Sequence, residues 1–116
     1  MRIHSLYADA AGVSHFRDIE IEWVHDLPGG KMSARLPASG VVFRETAGEY
    51  ELDWHRAPRR QYIVNLDAPV ELTASDGETR IIGAGEVILA EDTTGEGHLS
   101  KAVEGQLRHS IVIVIE

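Results

Sequence analysis

The sequence predicts an all-β domain, a sandwich or barrel, and three observations carry that expectation. Apolar residues rarely recur at helical spacing anywhere along the 116 residues. Instead Asp18-Ile19-Glu20-Ile21-Glu22-Trp23 alternates polar and apolar side chains. A period of two puts one face of an extended chain in water and the other against a core. Turn-forming clusters then return every eight to twelve residues, the spacing of short strands in all-β domains.

Taken in order, residues 1–40 read as one or two edge strands and a loop around Asp26-Leu27-Pro28-Gly29-Gly30-Lys31, and residues 41–116 as the barrel core of the same single domain. β-rich runs are expected at Val41 to Thr46, Tyr50 to His55, Gln61 to Leu66, Val70 to Ala74, Thr79 to Ile82, Val87 to Ala90 and Arg108 to Ile115. Between them stand Ala47-Gly48, Asp67-Ala68-Pro69, Asp76-Gly77, Gly83-Ala84-Gly85, Gly95-Glu96-Gly97 and Glu104-Gly105. Asp76-Gly77 is the strongest hairpin signal, because both central positions of a type I′ turn require positive φ. The last run is apolar on both faces from Ile111 onward. Such a strand is covered on both sides or paired into a partner subunit, so a homodimer is expected. Phe16, Trp23, Phe43 and Trp54 read as core.

A chain of this length buries roughly two-thirds of its unfolded surface. Hydrophobic residues make up 43% and charged residues 26%, the ordinary globular range. The absence of cysteine excludes disulfides, thiolate metal sites and cysteine nucleophiles, and fits a cytoplasmic location. The opening MRIHSLYADA lacks the apolar stretch of a signal peptide. No apolar run approaches the ~20 residues that cross a bilayer. With 19 acidic side chains against 11 basic ones, the formal charge is −8. That sign repels phosphate backbones and anionic lipids, so neither nucleic acid nor membrane is an expected partner; a small-molecule ligand is. Arg56, Arg59 and Arg60 invert the sign locally. No Ser-His-Asp order, phosphate-cradling glycine loop or dinucleotide fingerprint occurs, so no nucleotide cofactor is expected.

Two polar clusters ride on apolar strands, the pattern of a pocket lined by side chains. Asp53 and His55, at i and i+2 on a strand, are expected on one face. Arg60 follows, with Tyr62 sharing its face by parity, and His98 closes the second cluster. Arg60, helped by Arg59 or Arg44, would hold a carboxylate, phosphate or enolate. His55 or His98 would move a proton. Asp53 would orient His55 or act as a second acid/base, and Tyr62 would donate to an oxyanion. The same residues have plainer readings. His55 beside Trp54 reads equally as a buried structural histidine, and His98 after Gly95-Glu96-Gly97 as a turn cap. The arginines read equally as partners of surface carboxylates. Glu91 and Asp92 face either the pocket mouth or solvent, and His4, His15, His25 and His109 the surface or rim.

Gly48, Asp53-Trp54-His55, Arg60 and the turn at Asp67-Ala68 resemble the first motif of the cupin family, and Gly85, Val87-Ile88-Leu89 and His98 resemble its second. The resemblance covers about residues 41 to 115 and implies a double-stranded β-helix, or jelly-roll barrel. The family's metal site is usually three His and one Glu, and those positions fall here on Asp53, His55, Arg60 and His98. Two match, one is another possible ligand, and one is a cation. The resemblance therefore implies a two-His-one-carboxylate set, Asp53, His55 and His98, for one Fe, Mn or Zn ion, with Arg60 where the fourth ligand would stand. The pairing of DWHRAPRRQY with EDTTGEGH also resembles a subgroup of small cupins; that likeness implies the fold and no particular activity. The expected function is a small-molecule enzyme acting on an acidic or carbonyl-bearing metabolite by isomerase- or lyase-like acid/base chemistry, with or without a divalent metal. A non-catalytic ligand-binding or sensor cupin and a metal-dependent dioxygenase are the alternatives.

Overall fold

Alternating side chains and frequent turns fold the chain into twelve strands, with no helix, in a computed structural model that describes all residues from Met1 to Glu116. They are β1 (Arg2–Ala8), β2 (Ser14–Glu20), β3 (His25–Leu27), β4 (Gly30–Met32), β5 (Gly40–Thr46), β6 (Glu51–His55), β7 (Gln61–Asn65), β8 (Val70–Ala74), β9 (Thr79–Ile82), β10 (Val87–Ala90), β11 (His98–Ala102) and β12 (Arg108–Val114). A six-stranded sheet has the order β2-β1-β10-β7-β12-β5 and a four-stranded sheet the order β6-β11-β8-β9, while β3 and β4 form a hairpin apart. All pairings are antiparallel except β1 with β10.

From β5 onward the chain keeps crossing between the two large sheets, and only β8 and β9 pair as direct neighbours. Leu6, Phe16 and Ile88 of one sheet meet Val70, Leu72 and Ile82 of the other in a single apolar cluster. The sheets thus pack face to face across a shared core, as in a β-sandwich. Full burial of each such side chain stabilises by roughly 1.5–3 kcal/mol. No helix is long and apolar enough to cross a membrane.

Several expectations from the sequence are corrected. The opening run lies inside its sheet, not at an edge: β1 sits between β2 and β10, with Ile3 to Leu6 all buried. His4, expected at the surface or rim, is among them, its Nε2 2.8 Å from the Glu86 carboxylate. Of the four aromatics read as core, only Phe16 is buried; Trp23, Phe43 and Trp54 are exposed. The turn after β8 is not type I′. Gly77 alone takes positive φ, at 98°, and Ala74 pairs with Glu78 across a three-residue loop. That is a type I-like turn closed by a left-handed glycine. His98 does not cap a turn but begins β11, a strand the polar sequence His98-Leu99-Ser100-Lys101 disguised.

Candidate functional site

Between the two sheets lies a cavity of about 300 Å³. Its apolar wall comes from core residues such as Leu6, Ile63, Leu72 and Ile88. The polar groups converge from four strands: His55 at the end of β6, His98 at the start of β11, Arg44 on β5 and Arg108 on β12.

The two histidines stand opposite each other in the β6–β11 register, their ring centroids 4.2 Å apart and the planes inclined by 58°. Gly97 makes this approach possible. Its φ is 75°, and a Cβ there would collide with the His55 carbonyl. Only glycine accepts both conditions at once. Each ring is tied at the back through Nδ1. His98 donates to Asp92 Oδ2 at 2.5 Å, and His55 donates to the Asp53 main-chain carbonyl at 2.8 Å. A carbonyl and a carboxylate only accept, so each Nδ1 carries the proton and each Nε2 keeps a lone pair. Neither Nε2 has a protein partner.

Asp92 is completely buried, and its Oδ1 has no protein partner. Its other oxygen, Oδ2, holds the His98 ring in place through Nδ1. His55 differs: burial pushes its pKa below the ordinary value, the Asp53 carbonyl opposes this, and nearby His98 adds to the lowering. The pair therefore joins a ring anchored by a buried carboxylate to a ring whose charged form burial disfavours.

Two guanidiniums face them. Arg108 is only 7% exposed, and its Nε and Nη1 are buried without a partner. Arg44 lines the open side of the cavity. Burial lowers the pKa of both, and at Arg108 the Arg44 charge lowers it further. No aspartate or glutamate lines the cavity. The third cation at its rim, Lys101, is paired with Glu71 at 3.2 Å.

Other residues expected here lie elsewhere. Asp53 fails to share a face with His55 because β6 carries a bulge. His98 pairs with His55 and Ser100 with Leu52, so Asp53 and Trp54 together oppose Leu99. One extra residue breaks the period of two, and Asp53 turns outward into a shallow groove with Glu51 and Glu71. In β7, Gln61, Ile63 and Asn65 line the cavity, which leaves Tyr62 on the outer face. Arg60, just before β7, bonds Glu91 outside the cavity, Nη2 to Oε1 at 2.8 Å. Arg59 is exposed and lines no part of it. Glu91 is at neither the mouth nor in free solvent; it also takes Ser5 and Arg17.

These placements bear on the implied metal. No group of three His, Cys, Asp or Glu side chains is arranged to hold an ion. Two imidazoles facing two guanidiniums do not suit a divalent cation, since like charges repel strongly where water is excluded. The residues present do not fit the family's centre.

Arg108 is not singled out by the sequence, and Asp92 is expected at the pocket mouth or in solvent, whereas Asp92 is fully buried behind His98. Arg108 had a readable signal, for it shares parity with the inward Val112 and Val114. The pairing of Asp92 with His98 had none, because a loop carboxylate six residues before a histidine is unremarkable in sequence. No protein-family model matches the chain, and no curated protein matches it.

Proposed function

We propose that the chain is a small-molecule enzyme that moves a proton next to a carbonyl of an acidic metabolite. The observation that carries this reading is His98, held by buried Asp92 and facing a cavity with two uncompensated guanidiniums. In the step envisaged, His98 Nε2 takes a proton from the carbon beside the carbonyl. The bonding pair shifts onto the carbonyl oxygen, and an arginine holds the resulting oxyanion. The imidazolium, supported by Asp92, then returns the proton to another carbon or to a leaving hydroxyl, with His55 as the second proton carrier. The first outcome is an isomerisation and the second a dehydration.

The reading includes a jelly-roll of the cupin type. Its support is the interlocked order of the two sheets, β5-β12-β7-β10 facing β6-β11-β8-β9, reached by a chain that alternates between them. The ligand-binding or sensor alternative rests on the same unpartnered Arg108, which favours a bound anion whether or not it is turned over. The dioxygenase alternative needs a third ligand beside the two histidines.

The test is hydrogen exchange in heavy water, followed by proton NMR on a panel of small 2-oxo and 3-oxo acids. Exchange above the buffer rate that falls about 10²–10⁴-fold in His98→Gln supports the reading. Exchange that His98→Gln leaves unchanged overturns it, and saturable binding with no exchange favours the sensor.

The working assembly we infer is a homodimer. The 24 residues from 22 to 45 are all exposed except half-buried Ser33. They include Trp23, Leu27, Met32, Leu36, Val41 and Phe43. On the adjoining sheet face Phe43 pairs with Ile111 and Val41 with Ile113. An arm and a sheet face on the same chain, both apolar, are self-complementary by a two-fold axis. The arm also supplies the roughly 20–30 residues a side of a standard interface.

A further inference from the structure

We infer that the ligand of this cavity is a small dianion, carrying either two carboxylates or one phosphoryl group. The inference deepens the acidic-metabolite reading and rests on this cavity being the ligand site, but not on the proton transfer.

The argument is one of charge balance. The chain carries −8 overall, yet its internal cavity is lined by arginines and by no carboxylate. Other cations have carboxylate partners: part-buried Arg80 has Asp18 and Glu78, exposed Arg17 has Glu91, and Lys101 at the cavity rim has Glu71. Arg44 and Arg108 are the exceptions that face the cavity, and neither makes an ion pair or side-chain hydrogen bond. Arg108 is the stronger case, being more than nine-tenths buried with two unpartnered N–H positions. Buried charged donors left without acceptors are strongly unfavourable, so the fold keeps these for something absent from the chain itself.

The number of charges follows from the register. Arg108 lies opposite Thr46, and Arg44 opposite Ser110, so the arginines are diagonal neighbours across β5 and β12. Diagonal side chains of this kind start about 7–8 Å apart, within reach of one another for long residues. A neutral ligand would leave both cations unmatched, and a monoanion would leave one. A dianion matches both, as one phosphoryl between the forks or as two carboxylates a few bonds apart. The space is limited: about 300 Å³ holds roughly ten water-sized groups, at about 30 Å³ each. Neutral His55 and the unpartnered Oδ1 of Asn65 then accept from ligand hydroxyls.

The experiment is calorimetric titration of the full chain with succinate, inorganic phosphate and propionate near neutral pH. Succinate or phosphate is expected to bind at least about tenfold more tightly than propionate, and whichever is tighter identifies the source of the charge. Arg44→Gln and Arg108→Gln are each expected to reduce the dianion to the propionate level. Should Arg108→Gln fail to fold, Arg44→Gln, on the open side, decides alone. Equal binding of propionate and both dianions, or a preference that Arg44→Gln leaves intact, overturns the inference. His98→Gln is expected to keep the preference while losing hydrogen exchange. Loss of the preference with exchange intact therefore sinks this inference alone, and the reverse result sinks only the acid/base reading.

Discussion

At the scale of single residues, His98 and Asp92 matter most. Asp92 fixes the His98 proton on Nδ1 and so leaves Nε2 bare toward the cavity. Asp92→Asn keeps the shape but can present its amide hydrogens to Nδ1, which reverses the tautomer. Heavy-water exchange is expected to fall about 10²–10⁴-fold in this variant, with His98 Nε2 now protonated in nitrogen NMR. By contrast Tyr62→Phe and Arg60→Gln are expected to leave exchange within about twofold, since neither lines the cavity; Arg60→Gln removes a half-exposed ion pair of ~0–1 kcal/mol. His55 and His98 were legible as a pair because they fall at matching positions of the two motifs, spaced as in the resemblance. Asp53 was misplaced because a bulge is invisible to a period-two argument. Arg60 and Tyr62 share a parity, as expected, but parity alone does not say which face is inside.

At the scale of elements, the β6–β11 junction is held by Gly97. Gly97→Ala is expected to cost at least about 1–2 kcal/mol, because an L residue is placed in a left-handed conformation against the His55 backbone. A thermal midpoint lowered by several degrees, with weakened succinate binding, is the expected result. A second junction is polar. His109 on β12 donates Nδ1 to Asp67 at 2.5 Å and Nε2 to Glu45 at 2.8 Å, which requires the charged ring. The Asp67 bond, then the Glu45 bond, raises the His109 pKa above 6.5. Its contribution is therefore complete below pH 6.5 and fades as pH rises through the raised value. Asp67 is held below 3.8, chiefly by the His109 amide, so its contribution fades as pH falls through that lowered value. His109→Gln is expected to destabilise most between pH 3.8 and 6.5 and progressively less toward alkaline pH. Thermal melts across pH check this; a penalty that grows with alkalinity would contradict it. Most strands from β5 onward were legible, since Val70–Ala74, Thr79–Ile82 and Val87–Ala90 are apolar runs between turn signals. Strands β1 and β11 were not, because their buried positions are filled by His4, Ser5 and His98, polar groups satisfied only by distant partners.

At the scale of the whole molecule, two sheets share a core on one side and expose an apolar arm on the other. Phe43 is 78% exposed and begins the patch that continues to Ile111. Phe43→Glu is expected to convert a dimer to a monomer in sedimentation equilibrium without lowering the monomer's own strand content. A wild-type chain that sediments as a monomer at every concentration would contradict the dimer. The all-β class was legible from alternation and turns alone. The sheet order was not, because pairing partners such as β12 with β7 are set by which faces bury together across the core.

The most direct test of the account follows the six histidines by long-range proton–nitrogen NMR during a succinate titration. Both His55 and His98 should begin with bare Nε2 atoms, and those two signals should move together and saturate while His15 and His109 stay still. If His55 and His98 do not respond, or move no more than the surface histidines, the cavity is not where this protein meets its ligand.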